Sequence, residues 1–396
     1  LQIPYVSYII QINTTVKISE MSGENMSFEY FVPCLFGLEG IVADELRYMD
    51  IDDVEAKNGH VIFKGDGEAM ARANLNMRCG ERVLMQLAEF KAVTFEELFQ
   101  GVSEIQWGDI IPKNGAFPVK GYSLNSALFS VPDCQKIIKK AAVEKMKKKY
   151  CKTWFDETGA KYQIQFSIMK DEVKIFLDTS GSGLHKRGYR PVSNEAPLRE
   201  TLAAAMVKLS RYRGRDVFLD PFCGSGTIAI EAAMIAKNIA PGMARSFDSE
   251  KWGFYDNNVW KDERQRAVES VRDIQLSIAG RDIDESCIEL SKQNAKRAGV
   301  ADYIKFEQAD AIKTSYEGFS GTIVTNPPYG ERLLDLRRAQ NIYRGFGKQL
   351  KDAENAKAYI ISSDPEFERN FGKSADKRRK LYNGMIQCTL YMYFRS

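Results

Sequence analysis

The sequence predicts an α/β protein in two parts. A small mixed α+β block occupies residues 26–180, and a mostly parallel sheet with covering helices and a C-terminal antiparallel strand occupies residues 181–396. Two observations carry this. From Asp216 onward, apolar strand-like runs alternate with helical ones (DVFLD, TIAIEAAMIA, IQLSIAGRDI, ESCIELSKQNAKRAG, YIKFEQADA, GTIVT), the pattern of βαβ units. Before Gly181 the pieces are shorter and follow no such alternation.

In chain order, LQIPYVSYIIQINTT is partly apolar, but its first basic residue is Lys17 and no Met opens the chain. The charged start of a signal peptide is missing, so residues 1–25 are expected to be an upstream extension outside the functional unit. FEYFVPCL reads as a strand, and GLEGIVADELRYM sets Leu38, Ile41, Val42 and Leu46 on one helical face. HVIFKG is a second strand between Gly59 and Gly65. A long helical stretch is expected to follow through about Phe99, weakened near Gly80. The helix PDCQKIIKKAAVEKMKKKYCK puts Ile137, Ile138, Ala141, Ala142 and Met146 on one face. It carries eight lysines against one glutamate over residues 134–152, a pattern that suits either a solvated face or a phosphate backbone. KYQIQFSIMKDEVKIFLDTSG alternates as a hairpin. KAYIISSD and KLYNGMIQCTLYMYF supply the last strands.

Composition narrows the function. Hydrophobic residues at 44% and charged residues at 28% describe an ordinary globular chain of two or three domains. A net charge of +3 excludes nucleic-acid binding by bulk charge, so any basic surface is local. Two histidines leave no room for a His-based metal cluster, and no metal is expected. Seven scattered cysteines without a Cys-x-x-Cys disfavour disulfides and zinc ribbons and fit a reducing cytoplasm. No apolar run reaches the roughly 18 residues of a membrane span.

The chemistry starts at Asp220-Pro221-Phe222-Cys223-Gly224-Ser225-Gly226-Thr227, between an apolar strand and an apolar helix. Glycines there let the chain turn tightly with no Cβ between backbone and ligand, and the helix start offers free N–H groups to an anion. No Gly-Lys-Ser/Thr follows, which excludes a P-loop. Asp282 (with Ile283 after it) and Asp310 (with Ala311) end the next two strands. Carboxylates there suit a ribose diol and an adenine amine, which are hydrogen-bond donors. Asn326-Pro327-Pro328-Tyr329 then follows the strand TIVT. Two prolines stiffen the turn and aim its carbonyls. The Asn326 side chain and the Pro327 carbonyl could accept both hydrogens of an exocyclic amine and fix its line of attack, while Tyr329 could stack on the base.

DPFCGSGT, the acid of GRDID, QAD and NPPYGERL together resemble class I S-adenosylmethionine-dependent methyltransferases acting on an exocyclic amine. LHKRGYR, APLRETLAAAM, NPPYGERL and KRRKLYNG narrow the resemblance to the THUMP-domain enzymes that modify guanine N2 in large-subunit ribosomal RNA, over essentially Met26 to Phe394. This implies a ferredoxin-like piece and a THUMP RNA-binding domain ahead of a Rossmann-like catalytic domain. It also implies S-adenosylmethionine as cofactor and RNA as partner. Residues Asp220 to Thr227 would line the methionine part of the cofactor, helped by Thr201 from the helix Ala196–Met206. Asp282 and Ile283 would hold the ribose, Asp310 and Ala311 the adenine, and Asn326 to Tyr329 the base, with Asn326 also touching the cofactor. Lys136, Lys139, Lys140, Lys147 and Lys148 of the lysine helix, and His185, Lys186 and Arg187, would lie near RNA.

Asp220 and Asp282 are 62 residues apart, against about 20 in a compact nucleotide fold. The excess, 237–265, is rich in aromatic and charged residues and is expected to be a substrate-side loop. Some relatives carry a second methyltransferase domain, and this chain is expected to make one modification only. Competing readings are a tRNA guanine-N2 enzyme, an adenine-N6 DNA methylase, a release-factor glutamine methylase and a non-catalytic ribosome-assembly protein.

Overall fold

The computed structural model describes residues 27–190, 198–256, 258–329, 333–353 and 355–394, and the backbone of 15–16. Most of the expected leader, the start of the helix expected at 196 and residues 330–332 of NPPYGERL lie outside them. Two sheets organise the described residues. The first contains β1 (Thr15–Val16), β2 (Phe28–Pro33), β3 (Glu55–Lys57), β4 (His60–Gly65), β5 (Leu84–Lys91), β6 (Val119–Leu124), β7 (Ile164–Met169) and β8 (Glu172–Asp178). Its order is β3-β4-β2-β5-β8-β7-β6, with β1 paired to β5 and only β6–β7 parallel. Helices α1 (Glu39–Tyr48), α2 (Gly67–Asn76), α3 (Phe95–Ser103), α4 (Trp107–Ile110) and α5 (Val131–Tyr150) complete this half.

One expected element is corrected here. The helical stretch through Phe99 breaks after Asn76, and Leu84–Lys91 is the strand β5. Its leucines and methionine favour a helix in isolation, but β5 lies between β2 and β8 and is buried along nearly its whole length. Tertiary pairing outweighs a propensity worth tenths of a kcal/mol per residue. The helix resumes at Phe95, where Thr94 and Glu97 form a capping box. The β7–β8 hairpin closes through Lys170 and Asp171, both at positive φ, as a tight two-residue turn requires.

The second sheet holds β9 (Phe218–Asp220), β10 (Ile278–Asp282), β11 (Ile304–Gln308), β12 (Ser320–Thr325), β13 (Asn355–Ser362), β14 (Lys377–Asn383) and β15 (Ile386–Tyr393). Its order is β11-β10-β9-β12-β13-β15-β14, parallel up to β13 and antiparallel beyond. Helices α6 (Glu200–Leu209), α7 (Thr227–Lys237), α8 (Val259–Glu269), α9 (Glu285–Arg297), α10 (Leu333–Leu350) and α11 (Phe367–Phe371) accompany it. Strand order reverses at β9, and ligands of such folds bind at that switch point, beyond the carboxyl ends of the strands.

The two halves are joined by buried polar contacts. Arg187 is 1% exposed. Its guanidinium meets Glu231 of α7 at 3.3 Å and donates to the carbonyls of Leu184, Met77 and Arg78. The stretch 237–265, expected on the substrate side, instead packs back on the N-terminal half. Arg72 of α2 grips Glu263 of α8 with both Nε and Nη2. Trp252 stacks on Tyr162 at 5.2 Å and donates to the Lys161 carbonyl. The Tyr255 hydroxyl meets that of Tyr30 at 3.1 Å. Its aromatic residues are therefore core and not exposed substrate contacts.

Removing one partner of a buried ion pair strands the other charge away from water. Arg187→Ala should lower unfolding free energy by about 3–5 kcal/mol in urea denaturation, and Arg187→Met with Glu231→Leu should recover only the part due to the stranded carboxylate, since the carbonyls of Met77, Arg78 and Leu184 stay unpaired. An unchanged midpoint for Arg187→Ala would contradict this account.

Candidate active site

The carboxyl ends of β9, β10 and β12 bring Asp220, Asp282 and Asn326 to one mouth. There they line a cavity of about 400 Å³, the size of a small-molecule site. Of the expected residues, Asp220, Pro221, Cys223, Gly224, Ser225, Thr227, Asp282, Ile283, Asp310, Ala311, Asn326 and Pro328 share this wall. Gly226, Pro327, Tyr329 and Thr201 do not. Thr201 is buried and turned away, its hydroxyl donating to Glu81 of the N-terminal half at 2.8 Å. Sequence reading also passed over Leu198, Ile312 and Ile342 of the wall, because an apolar residue beside a site looks like any core residue.

The glycine turn is held from behind. Gly226 has φ +79°, and a Cβ there would stand 3.0 Å from that of Ser291. From α9, the Ser291 hydroxyl donates to the Gly224 carbonyl (2.8 Å) and the Asn294 amide to that of Ser225 (3.0 Å). Asp282 accepts from the Gly224 N–H (2.9 Å) and the Asp284 N–H (3.0 Å), which fixes its carboxylate. Asp310 accepts from the Ile312 N–H and pairs with Lys313, both at 3.1 Å. Burial raises the Cys223 thiol far above its usual range and keeps it protonated.

Asp220 is 1% exposed, and burial pushes its carboxyl up to about 7. The Thr325 hydroxyl (2.7 Å) and the Phe222 N–H (3.3 Å) donate to it and oppose the rise, and the nearby Asp282 adds to it. Its second oxygen and the Asn326 side-chain oxygen are buried with no hydrogen-bond partner among the described residues. Such atoms are costly unless a ligand supplies donors. Two unmatched acceptors, a helix start at Thr227 and two further strand-end carboxylates match the groups of S-adenosylmethionine: cations, a carboxylate, a diol and an amine.

The Asn326–Tyr329 turn is braced from outside the cavity. Tyr343 of α10 donates to the Pro328 carbonyl at 2.9 Å, and the Asn383 amide donates to the Tyr329 hydroxyl at 2.9 Å. Asn383 lies in the segment KRRKLYNG, so its link to the site had a sequence signal. Tyr343 had none. On α5, Lys136, Lys140 and Lys148 are exposed, although Lys136 pairs with Asp133. Lys139 is drawn to Glu157 and Lys147 to Glu144. His185 meets Glu81 at 3.2 Å and Lys186 is exposed. Arg187, expected near RNA, is an internal strut with no surface to offer.

Below pH 7 the free protein holds Asp220 mostly protonated, since its folded value is raised. The same sign means that its contribution to stability is complete in acid and fades as pH rises through about 7. A ligand cation requires the ionised form, whose share grows about fivefold from pH 6 to pH 7. S-adenosylhomocysteine binding, followed by calorimetry, should tighten about fivefold over that interval, and Asp220→Asn should abolish the trend. A flat wild-type profile would contradict this.

Comparison with known proteins finds matches along most of the chain. Residues 187–392 match the family model described as RMKL-like, methyltransferase domain. Residues 29–84 match the RlmL ferredoxin-like domain, and residues 92–178 match the THUMP domain. The Bacillus subtilis (strain 168) protein named "Putative RNA methyltransferase YpsC" is 45% identical over 361 residues, 90% of this chain and 94% of its own length. A Psychromonas ingrahamii protein named Ribosomal RNA large subunit methyltransferase K/L is 36% identical over 92% of this chain, which spans only 50% of that relative. The crystal structure of SMU.472, titled a putative methyltransferase complexed with SAH, superposes with a TM-score of 0.88 at 38% identity, covering 93% of this chain and 98% of that one. With the cavity at the sheet's switch point and the matched domains in this order, the chain belongs to the RMKL-like family and is a THUMP-containing, S-adenosylmethionine-dependent methyltransferase.

Proposed function

We propose that the chain methylates the exocyclic N2 amine of a guanosine in large-subunit ribosomal RNA, acting in the cytoplasm. The observation that carries this reading is the unpartnered, buried side-chain oxygen of Asn326, on a proline-stiffened turn at the rim of the cofactor cavity. The THUMP match and the relatives named for ribosomal RNA support RNA as substrate.

S-adenosylmethionine, when bound, supplies an electrophilic methyl group. Asp220 receives the cationic part of the cofactor, the glycine turn and the α7 start its carboxylate, Asp282 its ribose and Asp310 its adenine amine. Asn326 and the Pro327 carbonyl accept the two hydrogens of the target amine. That holds its nitrogen, whose lone pair is otherwise delocalised into the ring, on the line of attack. Tyr329 stacks on the base, which must leave its helix to reach the turn. No strong general base is needed, because the amine becomes acidic once alkylated. The exposed lysines of α5, with Lys186, contact the RNA backbone.

Labelled S-adenosylmethionine offered with protein-free ribosomal RNA, tRNA and DNA should yield N2-methylguanosine in large-subunit RNA on nucleoside analysis. Asn326→Ala should lower kcat about 10²–10³-fold while cofactor affinity holds, and Asp282→Ala should chiefly weaken the cofactor. N6-methyladenine in DNA as the only product would overturn the substrate assignment.

A further inference from the structure

The segment KRRKLYNG contains the whole of β14, on the free edge of the catalytic sheet, and the chemistry above uses only its Asn383. Two of its four cations are engaged internally, Arg378 with Glu368 at 2.8 Å and Arg379 with the Gly37 carbonyl. Lys377 and Lys380 form no ion pair among the described residues. The loop ending at Gly37, from the N-terminal half, lies directly on the strand. Gly37 has φ +86°, and a Cβ there would stand 3.2 Å from the Lys380 carbonyl. This brings Phe36 edge-on to Tyr382, with centroids 6.4 Å apart, and the Lys380 ammonium lies 5.5 Å from the Tyr382 ring. Phe36 is nevertheless 62% exposed, and Met385 at the tip of the same hairpin is 98% exposed.

We propose that the β14–β15 hairpin and the loop at Phe36 form a stacking platform for the single-stranded nucleotides that flank the target base. The proposal rests on the RNA reading above. Phe36 and the half-buried Tyr382 are in ring contact and Met385 is exposed at the turn of the same hairpin, so apolar groups lie along one edge of the sheet, a feature that marks an interaction site. Unpaired lysines at that edge select a partner that is apolar and anionic together, which is the chemistry of unstacked bases on a phosphate chain. The platform is continuous with the target site, since Asn383 of the hairpin holds the Tyr329 hydroxyl.

The test uses the full chain and protein-free large-subunit rRNA. Phe36→Ala combined with Met385→Ala should raise KM for the RNA about tenfold or more. Lys380→Gln should lower the slope of log affinity against log salt by about 0.7, the contribution of one single-strand phosphate. Both variants should bind S-adenosylhomocysteine as the wild type does, which reports an intact fold. If the wild type methylates this RNA while KM and salt slope are unchanged in the variants, the platform is refuted and the RNA reading stands. If the wild type transfers no methyl group to any RNA, both fail.

Discussion

A guanidinium cut off from water ties this molecule together. Arg187 touches Glu231 on α7 and the carbonyls of Met77 and Arg78 in the N-terminal half. Helix α7 is also the helix whose first turn belongs to the cofactor cavity. One side chain thus ties the N-terminal domains to the helix that follows the glycine turn. Arginine suits the task because its rigid fork of five donors can satisfy several acceptors at once. Arg78 extends the network by donating to the Ile239 carbonyl, just past the end of α7. Glu81 adds a second knot with Thr201 and His185. Burial raises the Glu81 carboxyl, but those donors outweigh it and hold the carboxyl below its ordinary value.

The stretch 237–265 shows why the same residue types admit opposite readings. Tryptophans and charges crowded into a long insertion resemble an exposed nucleic-acid surface in sequence. In the fold, Phe247 and Trp260 stack at 4.8 Å inside the interdomain core, and Glu263, Arg264 and Glu250 are engaged in the pairs Arg72–Glu263 and Arg264–Glu250. An interdomain seam needs what an RNA surface needs, namely flat apolar faces bordered by hydrogen-bonding charge. Only the partner differs, and it is distant in sequence.

Local chemistry was legible for related reasons. The acids at strand ends and the proline turn are read from short spacings, because each is positioned by the strand just before it. The β-hairpin 164–178 was legible through its alternation and turn. β5 was not, since a strand buried on both faces loses the alternation that identifies strands and keeps residues that favour helices. Thr201 and Arg187 were placed by their neighbours in sequence, whereas their partners Glu81 and Glu231 lie 120 and 44 residues away. The bracing of Asp220 by Thr325 and of the proline turn by Tyr343 is also non-local, and it stiffens both.

The position of β15 bears on how the edge of the sheet is covered. It lies between β13 and β14, so the latest strand in chain order is interior to the sheet and not at its rim. Until β15 pairs with it, the β13 edge is bare. An unpaired edge is a template for pairing with another chain. The hairpin seals the edge and brings Asn383 to Tyr329. One hairpin therefore both covers the open edge of the sheet and ties its turn to the proline turn, so pairing of the edge and bracing of that turn depend on the same element.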